Sequence, residues 1–145
     1  MKCAVDPGKF KTGFALAEND GTLIFSAVIP AEKHTEFVTA LEQGRAGWFS
    51  AYLREGKIPK KLEFDELLTG SGTTCKELLK QLNGRVKTKI ADEYGTTLEG
   101  RKLYWKLHPP KGIWKLVPTT LRVPPRDVDD LAAWAIILKA ITNDE

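Results

Sequence analysis

The sequence predicts an α/β fold, and three observations carry that expectation. The first fifth of the chain reads as short apolar segments joined by tight turns, the middle alternates strand-like and helical stretches, and the chain closes on an amphipathic helix. At 145 residues it fits a single domain over residues 1–145, long enough to bury a core without disulfide or metal staples.

The stretch from Ala4 to Leu16, AVDPGKFKTGFAL, organises the rest. A short apolar run ends at one carboxylate, Asp6, and Pro7-Gly8 then forces a turn into a second apolar segment, so a buried strand delivers an acid to its own end and returns as a hairpin. Local chemistry alone also allows an Asp-Pro-Gly turn in which the carboxylate caps its own backbone. Asn19-Asp20-Gly21 is the next turn signal, and Thr22–Ile29 completes an antiparallel meander of three strands.

From Thr35 the spacing becomes helical, with Phe37, Leu41, Trp48 and Tyr52 on one face, Thr35 as N-cap and Gly56 as stop; Gly44 and Gly47 weaken that helix as one unbroken element. Leu62–Leu68 reads as a strand running into a glycine-rich turn, Thr69 to Thr74. A capping box at Thr74 and Glu77 opens a helix that stops at Asn83-Gly84. That turn is suited to a phosphate on the helix amides, and equally to any tight strand-to-helix connection. Val86–Ala91 is a further strand ending on Asp92-Glu93. A second capping box, Thr96 with Glu99, begins a helix carrying Leu98, Leu103, Tyr104 and Leu107 and stopped by Pro109-Pro110. The last helix starts in the Asp127–Asp130 group and is expected to bury Leu131, Trp134, Ala135, Leu138 and Ile141.

Cys3 and Cys75 are too far apart in sequence and too few to suggest a disulfide framework or a metal knuckle, and read as buried thiols of a reducing compartment. The chain enters a strand almost at once, without a basic-apolar-small leader pattern, and its longest apolar run, Leu131–Leu138, is too short to cross a bilayer. A soluble cytoplasmic protein without a membrane partner is expected. Net charge is only +3, yet cations and acids are unevenly placed. Lysines and arginines cluster on loops and along the third helix, and the carboxylates gather at element ends, which suits a polyanion held around an acidic centre.

Three element ends carry acids: Asp6, the Asp92-Glu93 pair, and the Asp127, Asp129 and Asp130 group. In an alternating α/β layout the carboxyl ends of parallel strands share one sheet edge. Carboxylates meeting there repel one another unless a divalent cation neutralises them, and hard oxygen donors select Mg²⁺ or Mn²⁺. Two such ions roughly 3.5–4 Å apart support phosphodiester hydrolysis. The helix dipole alone favours acids in a first turn by about 0.3–1 kcal/mol each, and Asp127 is a natural N-cap, so each group also has a structural reading.

These residues resemble a known family. AVDPGKFKTGFAL resembles the first-strand motif of RuvC-type Holliday junction resolvases, in which an aspartate is followed by Pro-Gly and then Thr-Gly. ADEYGTTLEGRKL resembles the acidic, Thr-rich helix start of the YqgF family, linked to ribosomal RNA precursor processing, and VDDLAAWAIIL resembles a helix shared by both. The segments occur in the family's order, with Tyr94 standing where an arginine is common and a longer, proline-rich stretch from Lys106 to Arg126.

The resemblance implies a ribonuclease H-like fold, a mixed five-stranded sheet of order 3-2-1-4-5 flanked by helices. It implies a metal-dependent endonuclease acting on branched DNA or structured RNA, with two copies pairing on two-fold-symmetric junctions. Carried over by position, Asp6, Asp92, Glu93 and Asp129 are the catalytic acids. Asp6, Glu93, Asp129 and Asp130 are the metal ligands, with Asp127 the other claimant for the fourth place. Lys9, Lys11, Arg101 and Lys102 lie close in sequence to these acids and are candidate phosphate contacts. Trp105 and Trp114 suit either base stacking or packing. A non-catalytic nucleic-acid-binding domain of the same fold is the alternative.

Overall fold

A computed structural model describes residues 1–70, 76–91, 95–118 and 123–144. The expected meander is present as β1 (Lys2–Pro7), β2 (Lys11–Ala17) and β3 (Leu23–Pro30), paired antiparallel in succession. Two short strands, β5 (Leu67–Thr69) and β6 (Thr88–Ile90), continue the sheet on the far side of β1 and run parallel to it. The sheet has six strands rather than the expected five, because β4 (Leu53–Gly56) adds to the outer edge of β3. The full order is β4-β3-β2-β1-β5-β6, a mixed sheet flanked by helices.

β4 arises where a helix was expected. The helix α1 (His34–Gln43) ends at Gly44, whose left-handed backbone (φ 68°) turns its N–H back onto the carbonyls of Ala40 and Leu41. The chain continues as a 3-10 turn over Ala46–Tyr52, which buries Ala46 and Phe49, and then enters β4. Thr35 lies inside α1 rather than capping it, the N-cap position being Lys33. The expected strand Leu62–Leu68 shrinks to the last residues of that stretch. Leu62 is already held by the Gly44 carbonyl through its N–H, as part of a loop.

Two layers cover the sheet. On one face Phe14, Phe25, Phe37 and Phe49 form an aromatic cluster with ring centroids 4.9–5.8 Å apart, closed by α1 and by α2 (Lys76–Leu82). On the other, α4 (Asp129–Asp144) lies across Ala4, Ala15, Ala17 and Leu68, and α3 (Thr96–Leu107) packs on α4. Pressed between sheet and α3, α4 buries Ala132, Ala133, Ile136 and Ile137 along with the expected Leu131 and Ala135, while Leu138 and Ile141 are only half-buried. Cys3 is buried, and burial pushes its thiol pKa well above the ordinary value. No helix among the described residues is long and apolar enough to cross a membrane.

Two glycines set how closely these layers meet. A Cβ on Gly13 of β2 would lie 1.9 Å from the carbonyl oxygen of Asp129, and one on Gly100 of α3 would lie 2.8 Å from the backbone nitrogen of Ala132. The first turn of α4 therefore rests on bare β2 backbone, and α3 rests on bare backbone contact with the second. Gly13→Ala is expected to cost about 1–3 kcal/mol or more, as overpacking does. Gly47→Ala, with nothing within 4 Å of the new methyl, should be close to neutral. Urea unfolding midpoints of the two variants against the parent measure the difference.

Candidate functional site

Asp6 is the next-to-last residue of β1 and pairs across the hairpin with Gly13, the residue on which α4 begins. The contact at Gly13 thus brings the start of α4 to the end of β1. Asp6, Asp127 and Asp129 line one cavity of about 560 Å³, with Arg54, Arg101 and Arg126 around them. The strands β1, β5 and β6 are parallel, and their register aligns Val5, Thr69 and Ile90, so all three end toward the same edge. Asp92 and Glu93, the expected mid-chain acids, lie outside the described residues, as do Tyr94, Cys75 and most of the glycine-rich turn with its Thr74 capping box.

The acids already hold a cation. The Lys11 ammonium pairs with the Asp127 carboxylate and lies 3.7 Å from Asp129. Lys11, expected to contact phosphate, is in this structure a partner of the acids instead. Helix α4 begins two residues after Asp127, so the N-cap reading of that residue gives way to its pairing with Lys11. Among the described residues no three His, Cys, Asp or Glu side chains form a group able to hold a metal ion.

Asp130 behaves differently from its neighbours. It is fully buried and does not line the cavity. Its carboxylate accepts hydrogen bonds from Ser26 Oγ at 2.6 Å and from Arg126 Nη1 at 2.8 Å, so both oxygens are committed to the fold. A buried carboxylate needs such partners, and for Asp130, expected among the metal ligands, the protein supplies them.

Arg126 is the hub of that network. Its other nitrogen donates to Glu55 of β4 at 2.6 Å, Nη1 also donates to the Asp127 carbonyl at 2.6 Å, and the guanidinium lies 5.4 Å from the centre of the Tyr104 ring. His108 Nε2 donates to Glu55 at 2.9 Å. Burial alone would lower the Arg126 pKa, but Asp130 and Glu55 raise it, and the guanidinium stays charged. Burial alone would raise the Glu55 pKa, but the hydrogen bonds from His108 and Arg126 outweigh it and the net shift is downward. Ser26 and Glu55 are opposite one another in the β3–β4 register, which explains how one arginine reaches partners on both β4 and α4.

Of the four cationic residues expected at the site, Arg101 alone lines the cavity. Lys102 pairs with Glu99 one turn back at 3.2 Å, and Lys9 lies over the Phe10 ring. Trp105 packs edge-on against Tyr104 within the cluster that includes Val128 and Leu131, which favours the packing reading. Arg54 and Arg126 were not singled out from sequence. Arg54 sits on a strand where a helix was expected, and Arg126 lies in a proline-rich loop with no periodic signal.

Removing Arg126 as Arg126→Met leaves Asp130 buried without its charge partner and should cost about 3 kcal/mol of stability by chemical denaturation. Glu55 also makes stability depend on pH. Its lowered folded-state pKa means the unfolded chain binds the proton more readily, so the network's contribution is complete above about pH 4.3 and is lost as pH falls through the lowered folded value. Unfolding curves taken between pH 6 and pH 3 should show a smaller acid loss in Glu55→Gln than in the parent. Against known proteins, no family model matches the chain and no curated protein is significantly similar to it.

Proposed function

We propose that this chain is a ribonuclease H-like, metal-dependent endonuclease that hydrolyses phosphodiester bonds of structured nucleic acid, a Holliday junction or a ribosomal RNA precursor being the substrate classes its motifs suggest. The observation that carries the reading is that Asp6, Asp127 and Asp129, from opposite ends of the chain, line one cavity together with three arginines. The run β3-β2-β1-β5-β6 within the six-stranded sheet, antiparallel on one side of β1 and parallel on the other, supports the fold assignment.

The donor set suits Mg²⁺ or Mn²⁺: hard carboxylate oxygens at a strand end and a helix start, in a place that already attracts the Lys11 ammonium. Asp6 and Asp129 would hold the ion, with Asp127 beside them and Glu93 as the further ligand the sequence suggests. Such an ion supplies charge neutralisation at the scissile phosphate and activation of water. The chain's own residues do the rest. Arg54 and Arg101, both exposed at the cavity wall, neutralise the phosphates on either side, and Arg126, tied to Asp130 and Glu55, holds the Asp127–Asp129 backbone in place.

A second reading is favoured by one specific feature. Because Lys11 already balances Asp127 and Asp129, the same surface also serves a domain that binds nucleic acid without cutting it. A cleavage panel of four-way junction, duplex and RNA substrates in Mg²⁺, Mn²⁺ and EDTA separates the two. The nuclease reading expects cutting of one class that EDTA stops and that Asp6→Asn lowers by at least about 100-fold, with circular dichroism and urea stability near those of the parent. Salt-sensitive binding with no cutting of any substrate establishes the second reading, and cutting unchanged in Asp6→Asn overturns the assignment of that acid.

A further inference from the structure

The tip of the β1–β2 hairpin carries a large aromatic side chain that the fold does not use. Phe10 is 76% exposed, yet it is not on a loose loop. Its carbonyl accepts a hydrogen bond from the Ala31 N–H at 2.9 Å, and the Gly8 N–H donates to the Lys11 carbonyl at 2.9 Å, so the tip is tied both to itself and to the end of β3. A single exposed phenylalanine is ordinary. This one, however, forms a wall of a groove of about 440 Å³ whose other sides are Val28, Pro30, Ala51, Tyr52 and Leu53.

Two features of the groove bear on its occupant. It is apolar inside but flanked by cations: Lys9 lies over the Phe10 ring at 5.3 Å from its centre, and Lys11 and Arg54 complete the lining. It also lies beside the acidic cavity, since Arg54 lines both and Lys11 reaches from the groove to Asp127 and Asp129. An apolar peptide segment would gain nothing from the flanking cations. A nucleotide matches both parts, with a flat apolar face for the ring and a negative phosphate for the cations.

We infer that the Phe10 groove is a base-binding subsite: one unpaired nucleobase stacks on the Phe10 ring while its phosphate lies against Arg54, at the entrance to the acidic cavity. A base inside a duplex keeps its ring faces stacked on its neighbours and has none to offer Phe10, so the subsite selects strands with an unpaired or splayed nucleotide next to the phosphate held in the cavity. The inference rests on the nucleic-acid reading of that cavity and adds to it the kind of structure recognised.

The test is binding rather than cutting, done with EDTA present. Fluorescence anisotropy measures the affinity of the full chain for a single-stranded oligonucleotide and for a fully paired duplex of the same sequence, in the parent, Phe10→Ala and Phe10→Tyr. A 2-aminopurine placed along the single strand reports stacking by its quenching. The expected result is a loss of about 5- to 150-fold in single-strand affinity for Phe10→Ala, the range of one base–aromatic stack. Duplex affinity should be little changed, quenching should be lost in Phe10→Ala, and Phe10→Tyr should restore both. Equal single-strand binding by the parent and Phe10→Ala, or an equal loss on duplex and single strand, overturns the subsite while leaving the cavity assignment standing. Absence of binding to the single strand by the parent overturns the subsite, and absence of binding to a four-way junction and a structured RNA as well overturns the nucleic-acid reading itself. A Phe10 effect on binding together with unchanged cleavage by Asp6→Asn keeps the subsite and removes the assigned acid.

Discussion

The contact between the first turn of α4 and the bare backbone of β2 at Gly13 is the constraint on which the rest of the site depends. A helix normally stands off a sheet by the thickness of its side chains, with stacked layers about 10 Å apart. Here the Asp129 carbonyl occupies the space a Cβ would take. Since Gly13 is paired with Asp6, the same contact that docks the helix sets the distance between the acid of β1 and the acids at the start of α4. Gly100 repeats the device one layer further out, where α3 meets Ala132 and so brings Arg101 and Thr97 to the cavity wall.

Charge is sorted within a run of four residues. Asp127 and Asp129 face the cavity and share the Lys11 ammonium, while Asp130 turns inward to Ser26 and Arg126. A helical step of one residue moves a side chain by about 100° around the axis, so adjacent aspartates at a helix start cannot serve one place. The inward carboxylate would be costly alone, and Arg126 offsets it through two nitrogens while also binding Glu55 on the edge strand. The edge strand β4 is thereby fastened to α4 as well as to β3, and Arg54, its neighbour in that strand, is held at the cavity wall.

What the sequence made legible, and what it hid, follow the same division. The meander, the hairpin that carries Asp6, α3 and the start of the final helix were readable because each is written in local signals: alternating apolar residues, Asn-Asp-Gly, acids at a helix start. Those signals also pointed to Asp6 and Asp129. The edge strand was hidden because Phe37, Leu41, Trp48 and Tyr52 keep a helical spacing across Gly44, although the helix ends there and Phe49 is buried by a 3-10 turn. The network of Glu55, His108, Arg126 and Asp130 was hidden for a different reason. Arg126 and Asp130 are four residues apart, but Glu55 and His108 lie on distant segments, and no local pattern marks residues that meet only after the chain has folded.

Lys11 shows how the two halves of the site constrain each other. An ion pair at about 4 Å is worth about 4 kcal/mol at the effective dielectric typical near a protein surface, before desolvation and side-chain ordering are subtracted. Lys11 is 38% exposed and Asp127 65%, so solvent reduces the net contribution to the range of about 0–1 kcal/mol found for exposed pairs. Lys11 and the three arginines of the wall share this region with Asp6, Asp127 and Asp129. The long lysine stem can carry the ammonium out to solvent or to a phosphate at small cost. Lys11 thus links the two: it lines the Phe10 groove and its ammonium reaches Asp127 and Asp129 of the cavity.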